Sequence, residues 1–129
     1  MGIIAVLVAA AASYAWGAAW YTAMAKRWMA ANGLTEETVN RTNPMPYIVS
    51  LVATVLVAGM TRHIMATSGI TTVGGGLMTG AGLGLFVAVP WIVTNYGFAG
   101  RPRSLMLIDG AYAAVGCTII GVVLGLFVG

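Results

Sequence analysis

Few groups in this 129-residue chain could do chemistry: three acids, six lysines and arginines, one histidine and one cysteine. Asp109 is the acid that needs an explanation, because it follows Leu105-Met106-Leu107-Ile108 and leads into a long apolar run, whereas Glu36 and Glu37 sit together in a polar segment. Around it, in predicted depth, fall Trp20, Tyr21, Asn95, Tyr96 and Tyr112, a set of hydroxyl, indole and amide groups that can hold or orient a carboxylate. Two readings of Asp109 are open. In one, the positive end of its own helix together with Arg101, Arg103 or Asn95 holds it, and it locks the last two helices as a hairpin. In the other it titrates in a proton or ion relay, or binds a polar head group, with Tyr21, Tyr96 or Tyr112 orienting it.

Other chemistry finds no support. His63 has no acid near it in sequence or in predicted depth, so a Ser-His-Asp arrangement is not expected. Cys117 is the single cysteine, which excludes an internal disulfide or a multi-cysteine metal site and reads as a small buried apolar residue. No phosphate-binding loop or nucleophile motif is present. The expectation is a protein that is not an enzyme and has no cofactor or metal.

The elements that must position these residues are set by composition. The chain is 60% hydrophobic and 7% charged with a mean hydropathy of +0.93, against about 25% charged residues in soluble proteins. This predicts an all-α fold, a membrane bundle of four transmembrane helices with a short interfacial helix in the first loop, forming a single integral membrane domain over 1–129. A net charge of +3 suggests nucleic acid at first sight, but the basic residues cluster at predicted helix ends, as the positive-inside rule requires, and no nucleic acid partner is expected.

Residues 3–25 carry no charge and end at Lys26-Arg27, long enough to cross a bilayer core of about 30 Å. The run lacks the basic start of a signal peptide, so it reads as a retained first span. Tyr14, Trp16, Trp20 and Tyr21 crowd its second half; Trp20 and Tyr21 read as an interfacial aromatic belt, and Tyr14, deeper, requires a hydrogen-bond partner. Thr35 followed by Glu36 and Glu37 predicts a short helix over about 35–42. Pro44 and Pro46 introduce a second span over about 46–66, with Arg62 and His63 near its far end as anchors. A turn at Thr67-Ser68-Gly69 leads to a third span over about 71–98, its first turn loosened by Gly74-Gly75-Gly76 and its second half kinked by Pro90. The fourth span covers about 103–128. Gly76, Gly80 and Gly84 form one stripe of spacing four, and Gly121, Gly125 and Gly129 another, which predicts close helix contacts within one chain or between copies.

With four spans, Lys26, Arg27, Arg41, Arg101 and Arg103 fall on one side and Arg62 alone on the other. The orientation expected is both termini on the non-cytoplasmic side. The same basic residues are candidates for contact with anionic lipid.

Trp20-Tyr21-Thr22, Lys26-Arg27-Trp28-Met29, Gly33-Leu34-Thr35-Glu36-Glu37, Thr94-Asn95-Tyr96, Arg101-Pro102 and Leu107-Ile108-Asp109-Gly110-Ala111-Tyr112, in this order and spacing, resemble the DUF1761 family of small bacterial integral membrane proteins. Where that family often has a phenylalanine-glycine pair before the loop lysine, this chain has Met24-Ala25. The resemblance implies a bacterial inner-membrane protein of unknown function with no established active site. The glycine stripes and the lack of catalytic groups point to a structural or interaction protein, one that self-associates as a homo-oligomer or serves as an accessory subunit of a larger membrane complex, with lipids as its other partners. The alternative is a small oligomeric channel or transporter using the Asp109 layer.

Overall fold

The computed structural model of the chain describes residues 2–39 and 42–128. Five helices follow in order: α1 (Gly2–Ala23), α2 (Ala25–Ala31), α3 (Met45–Thr67), α4 (Val73–Phe98) and α5 (Arg103–Val128). Four of them, all but α2, are long and apolar enough to cross a membrane.

α2 continues α1 after a break at Met24, whose φ of −99° and ψ of 10° leave the helical region while Met24 and Trp28 keep their backbone bonds across it. Gly33, at φ 68°, ends α2 in the left-handed conformation that glycine takes most easily, and the Leu34 N–H returns to the Met29 carbonyl at 2.8 Å. The short helix of the first loop is therefore at 25–31 and not at 35–42. Residues 35–39 make a single turn instead, in which Thr35 and Thr38 bond each other through backbone and hydroxyl groups. Thr38 and Val39 are β-branched, and one turn alone cannot offset the cost of helix nucleation. Asn40 and Arg41, in the same expectation, lie outside the described residues.

α3 starts on Pro44 with Pro46 in its first turn, where a missing N–H costs nothing, and ends at Ser68, with Gly69 at φ 68° turning the chain. The Thr72 hydroxyl then caps α4 by accepting the Gly75 N–H at 2.9 Å. That cap draws the three consecutive glycines into the helix rather than loosening it. In the middle of α4 the residues Gly84–Ala88 form a π-turn, in which the Val89 N–H reaches back to the Gly84 carbonyl. Pro90 lies just beyond and has no N–H to give, so the widened turn takes up the mismatch its ring would otherwise impose on the preceding carbonyls.

α5 is the centre of the assembly. It packs most extensively against α4, next against α1, and α3 joins mainly through α1. The α4 contact is backbone on backbone. A methyl added at Gly84 would stand 2.8 Å from the Ala114 Cα, and one at Gly125 2.8 Å from the Val73 Cα; at Gly76 and Gly121 each would strike the other glycine's carbonyl, and at Gly80 the Cys117 carbonyl. Both glycine stripes thus face one another inside the chain, while Gly129 lies outside the described residues. On the other side, Ala5, Val6, Ala9 and Ala10 of α1 meet Ala58 and Met65 of α3 and Ile120 and Leu124 of α5 in the apolar core.

Gly121→Ala and Gly80→Ala should lower stability by roughly 1–3 kcal/mol each, since a backbone cannot retreat as a side chain can. Gly82→Ala, with nothing within 4 Å of the added carbon, should leave stability unchanged or slightly raised. Loss of helical circular dichroism on heating in detergent micelles would separate the two classes.

Candidate functional site

A seam of hydrogen bonds runs from mid-span to the end of the bundle that carries Lys26, Arg27, Arg101 and Arg103. Its donors are side chains of α1 and its acceptors are carbonyls of α5. Ser13 Oγ donates to the Gly116 carbonyl at 3.1 Å, Trp16 Nε1 to the Tyr112 carbonyl at 3.1 Å, and Trp20 Nε1 to the Ile108 carbonyl at 2.9 Å. The donors recur at spacings of three and four, and the acceptors at four, so each set forms one stripe on its helix. The Trp16 and Trp20 rings stack on each other with centroids 5.3 Å apart, which holds both indoles at the angle their N–H groups need.

Asp109 lies beside the last of these bonds. Tyr21 of α1 donates its hydroxyl to Asp109 Oδ1 at 2.5 Å, and Tyr96 of α4 donates to Asp109 Oδ2 at 2.5 Å. One carboxyl group therefore ties three helices, each oxygen accepting from a different neighbour. Tyr112 does not reach the carboxylate but packs its ring against Tyr21, with centroids 5.1 Å apart and planes tilted by 56°. Gly17 makes room for it, since a methyl there would lie 2.7 Å from the Tyr112 ring.

Of the residues expected around Asp109, the structure brings together Tyr21 and Tyr96 at the carboxylate, with Trp20 and Tyr112 as immediate supports. Asn95 is exposed and is not among the groups that bond the carboxylate. The arginines do not serve Asp109 either: Arg101 donates to the Asn32 side chain at the end of α2, tying the loop after α4 to the first loop, and Arg103 is exposed. The expected lock exists, but it is made by phenols from α1 and α4 and not by charges of the α4–α5 hairpin. Lys26 and Arg27 are also exposed. Arg62 lies at the opposite end, level with the start of α1, where a methyl on Gly2 would come within 2.6 Å of its guanidinium.

Ser13 and Trp16 were not singled out as site residues from the sequence. The signal that could have found them is the repeat of donors at 13, 16 and 20 on one face of a predicted span. Several other polar side chains in the spans turn inward on their own helices: Thr54, Thr61, Thr79 and Thr118 each bond the carbonyl four residues back. Tyr14 crosses to the Tyr47 carbonyl of α3 at 3.0 Å, the partner its depth required. Among the described residues no three of His, Cys, Asp and Glu converge as a metal site would need.

Four apolar helices joined by buried polar seams define a multi-pass membrane protein of the α-helical class. Within that class the chain belongs to the DUF1761 family, described as a protein of unknown function, whose sequence pattern matches residues 4–125. No curated protein and no solved structure matches it.

Because Tyr21 and Tyr96 serve the same carboxylate, Tyr21→Phe and Tyr96→Phe should each cost about 1.5–3 kcal/mol, and their effects should not add. A double-mutant cycle on unfolding in micelles should give a coupling of about 0.5–3 kcal/mol, and strict additivity would contradict the shared acceptor. The exposed Tyr47→Phe should stay within about 0.5 kcal/mol of the parent.

Proposed function

We propose that this protein is a non-catalytic component of the bacterial cytoplasmic membrane that acts by helix contact with other proteins, as an accessory subunit or by self-association. The observation that supports this most is the state of Asp109. The single acid within the spans has both oxygens taken by tyrosine hydroxyls, which suits a lock between helices better than a group that must exchange protons or substrates. Transport through an Asp109-centred path is the weaker reading for the same reason.

The glycine stripes no longer argue for self-association, because they are used inside the chain. Much of the surface left for partners is the outer side of α3 and α4. Leu56 and Met60 on α3, and Met78, Phe86, Trp91 and Phe98 on α4, are all more than half exposed. The second half of α4, from Val89 onward, contains no buried residue at all. In a bilayer such faces meet either lipid or another protein's helix.

The basic residues support an orientation with both termini outside the cytoplasm. Lys26, Arg27, Arg101 and Arg103 share one end of the bundle and Arg62 occupies the other. Alkaline phosphatase fused after the last helix should therefore be active and a green fluorescent protein fused there dark; the reverse pattern would overturn the orientation. Purified from native membranes in mild detergent, the protein should run as a particle heavier than its 13.3 kDa monomer in native mass measurement. A strictly monomeric particle with no companion would sink the interaction reading.

A further inference from the structure

A cleft of about 830 Å³ opens at the basic end of the bundle between α1–α2 and the start of α5. One wall is the stripe Trp20, Met24 and Arg27, and the other is Ser104, Leu107, Ile108 and Ala111. Trp20 and Ile108, joined by their hydrogen bond, lie toward the deep end, with Ala111 about one turn of α5 deeper. Arg27 lies about 10 Å and Ser104 about 6 Å nearer the water, counting axial rise from those two residues. Met24 and Leu107 fill the interval. The cleft therefore sets one cation and one hydroxyl on a lining that is otherwise mainly apolar, Ala30, Ala31 and Pro102 at its outer end included, and its size falls in the usual range of about 300–1,000 Å³ for small-molecule sites.

The cation at its mouth has no acidic partner among the described residues, although Glu36 and Glu37 belong to the same loop region. A guanidinium with no acidic partner among the described residues, set beside an apolar trough at interface depth, has the charge and shape complementary to a phosphate ester carrying an acyl chain.

We propose that this cleft is a binding site for one anionic phospholipid, its phosphate on Arg27 and Ser104 and the upper part of an acyl chain along Met24, Leu107 and Ala111. The site lies on the face formed by α1, α2 and α5, away from the outer faces of α3 and α4. It rests on the chain crossing a bilayer and not on the partner reading above, so either can fail alone.

The test is native mass spectrometry of the full chain released from micelles doped with equal amounts of dioleoyl phosphatidylglycerol and dioleoyl phosphatidylcholine. The parent should retain one phosphatidylglycerol in preference to phosphatidylcholine. Arg27→Gln should reduce that preference about fivefold, the effect of one interfacial cation. Arg103→Gln removes the same charge outside the cleft and should preserve the preference. Ala111→Phe, which fills the trough while keeping Arg27, should lower retention of both lipids. Equal retention of the two lipids by the parent, equal loss in Arg27→Gln and Arg103→Gln, or no effect of Ala111→Phe would each overturn the site. Arg27 and Arg103 are exposed, so an unchanged melting temperature should confirm that those two variants fold.

Discussion

Lipid tails are as apolar as leucine, so helices in a bilayer gain little from hiding apolar side chains from their surroundings and must be held by close packing and by polar bonds. In this chain both devices converge on α5. Its α4 side is small enough, through Ala114, Cys117, Gly121 and Gly125, for two backbones to touch. Its α1 side offers carbonyls to indole and hydroxyl donors. Neither device works from an exposed position on the helix, and together they leave α5 the most thoroughly contacted element while α3 hangs chiefly on α1.

Asp109 occupies the one place where these two sides meet at the basic end. Above and beside it α1 is fixed to α5 by three side chain to backbone bonds. Beside it α4 has left its glycine stripe and its close approach, because the stripe ends at Gly84 and the π-turn and Pro90 follow. A carboxylate is the one acidic group able to accept two strong bonds from opposite directions, so it can replace backbone contact where backbone contact gives out. An amide at this position would offer a single acceptor oxygen to two donors. The chemistry of the residue thus follows from its place between a seam that is complete and one that has ended.

Much of this was legible in the sequence, and the remainder failed for identifiable reasons. Unbroken apolar runs specify the four long helices, because length and charge alone decide whether a segment can cross a bilayer. The spacing of Gly76, Gly80 and Gly84 indicates a close approach, yet nothing in a stripe of glycines says what approaches, and here the opposing surface includes Cys117 and Ala114. Asp109 was legible as a residue requiring partners, but proximity in sequence pointed to arginines, whereas one of its two hydroxyl donors comes from a tyrosine 88 residues away. The partner of Trp16 was not legible, because the carbonyls that receive indole N–H groups leave no trace in sequence. The α2 helix was hidden for a different reason: Lys26-Arg27 marks the segment as polar, while Trp28 and the buried Met29 give it an apolar face toward the bundle.

The second half of α4 shows how much depends on a single bond. From Val89 to Phe98 no residue is buried, and the ring of Pro90 leaves the helix without one of its internal bonds at the upper end of this segment. Packing against α5 persists there only thinly, with Val89 at ordinary contact distance, 3.9 Å, from where a Gly110 methyl would stand. The firm attachment is the Tyr96 hydroxyl on Asp109, supplemented by the tie from Arg101 to Asn32 just beyond the helix end. A segment fixed at both ends and open along its side is stiff enough to keep its register. Its outward residues, Trp91, Val93 and Phe98, are nevertheless free to be covered by whatever lies beside them in the membrane. The polar lock and the exposed apolar face are therefore two parts of one arrangement, since the face can be presented without collapsing onto α5 only while the lock holds its end.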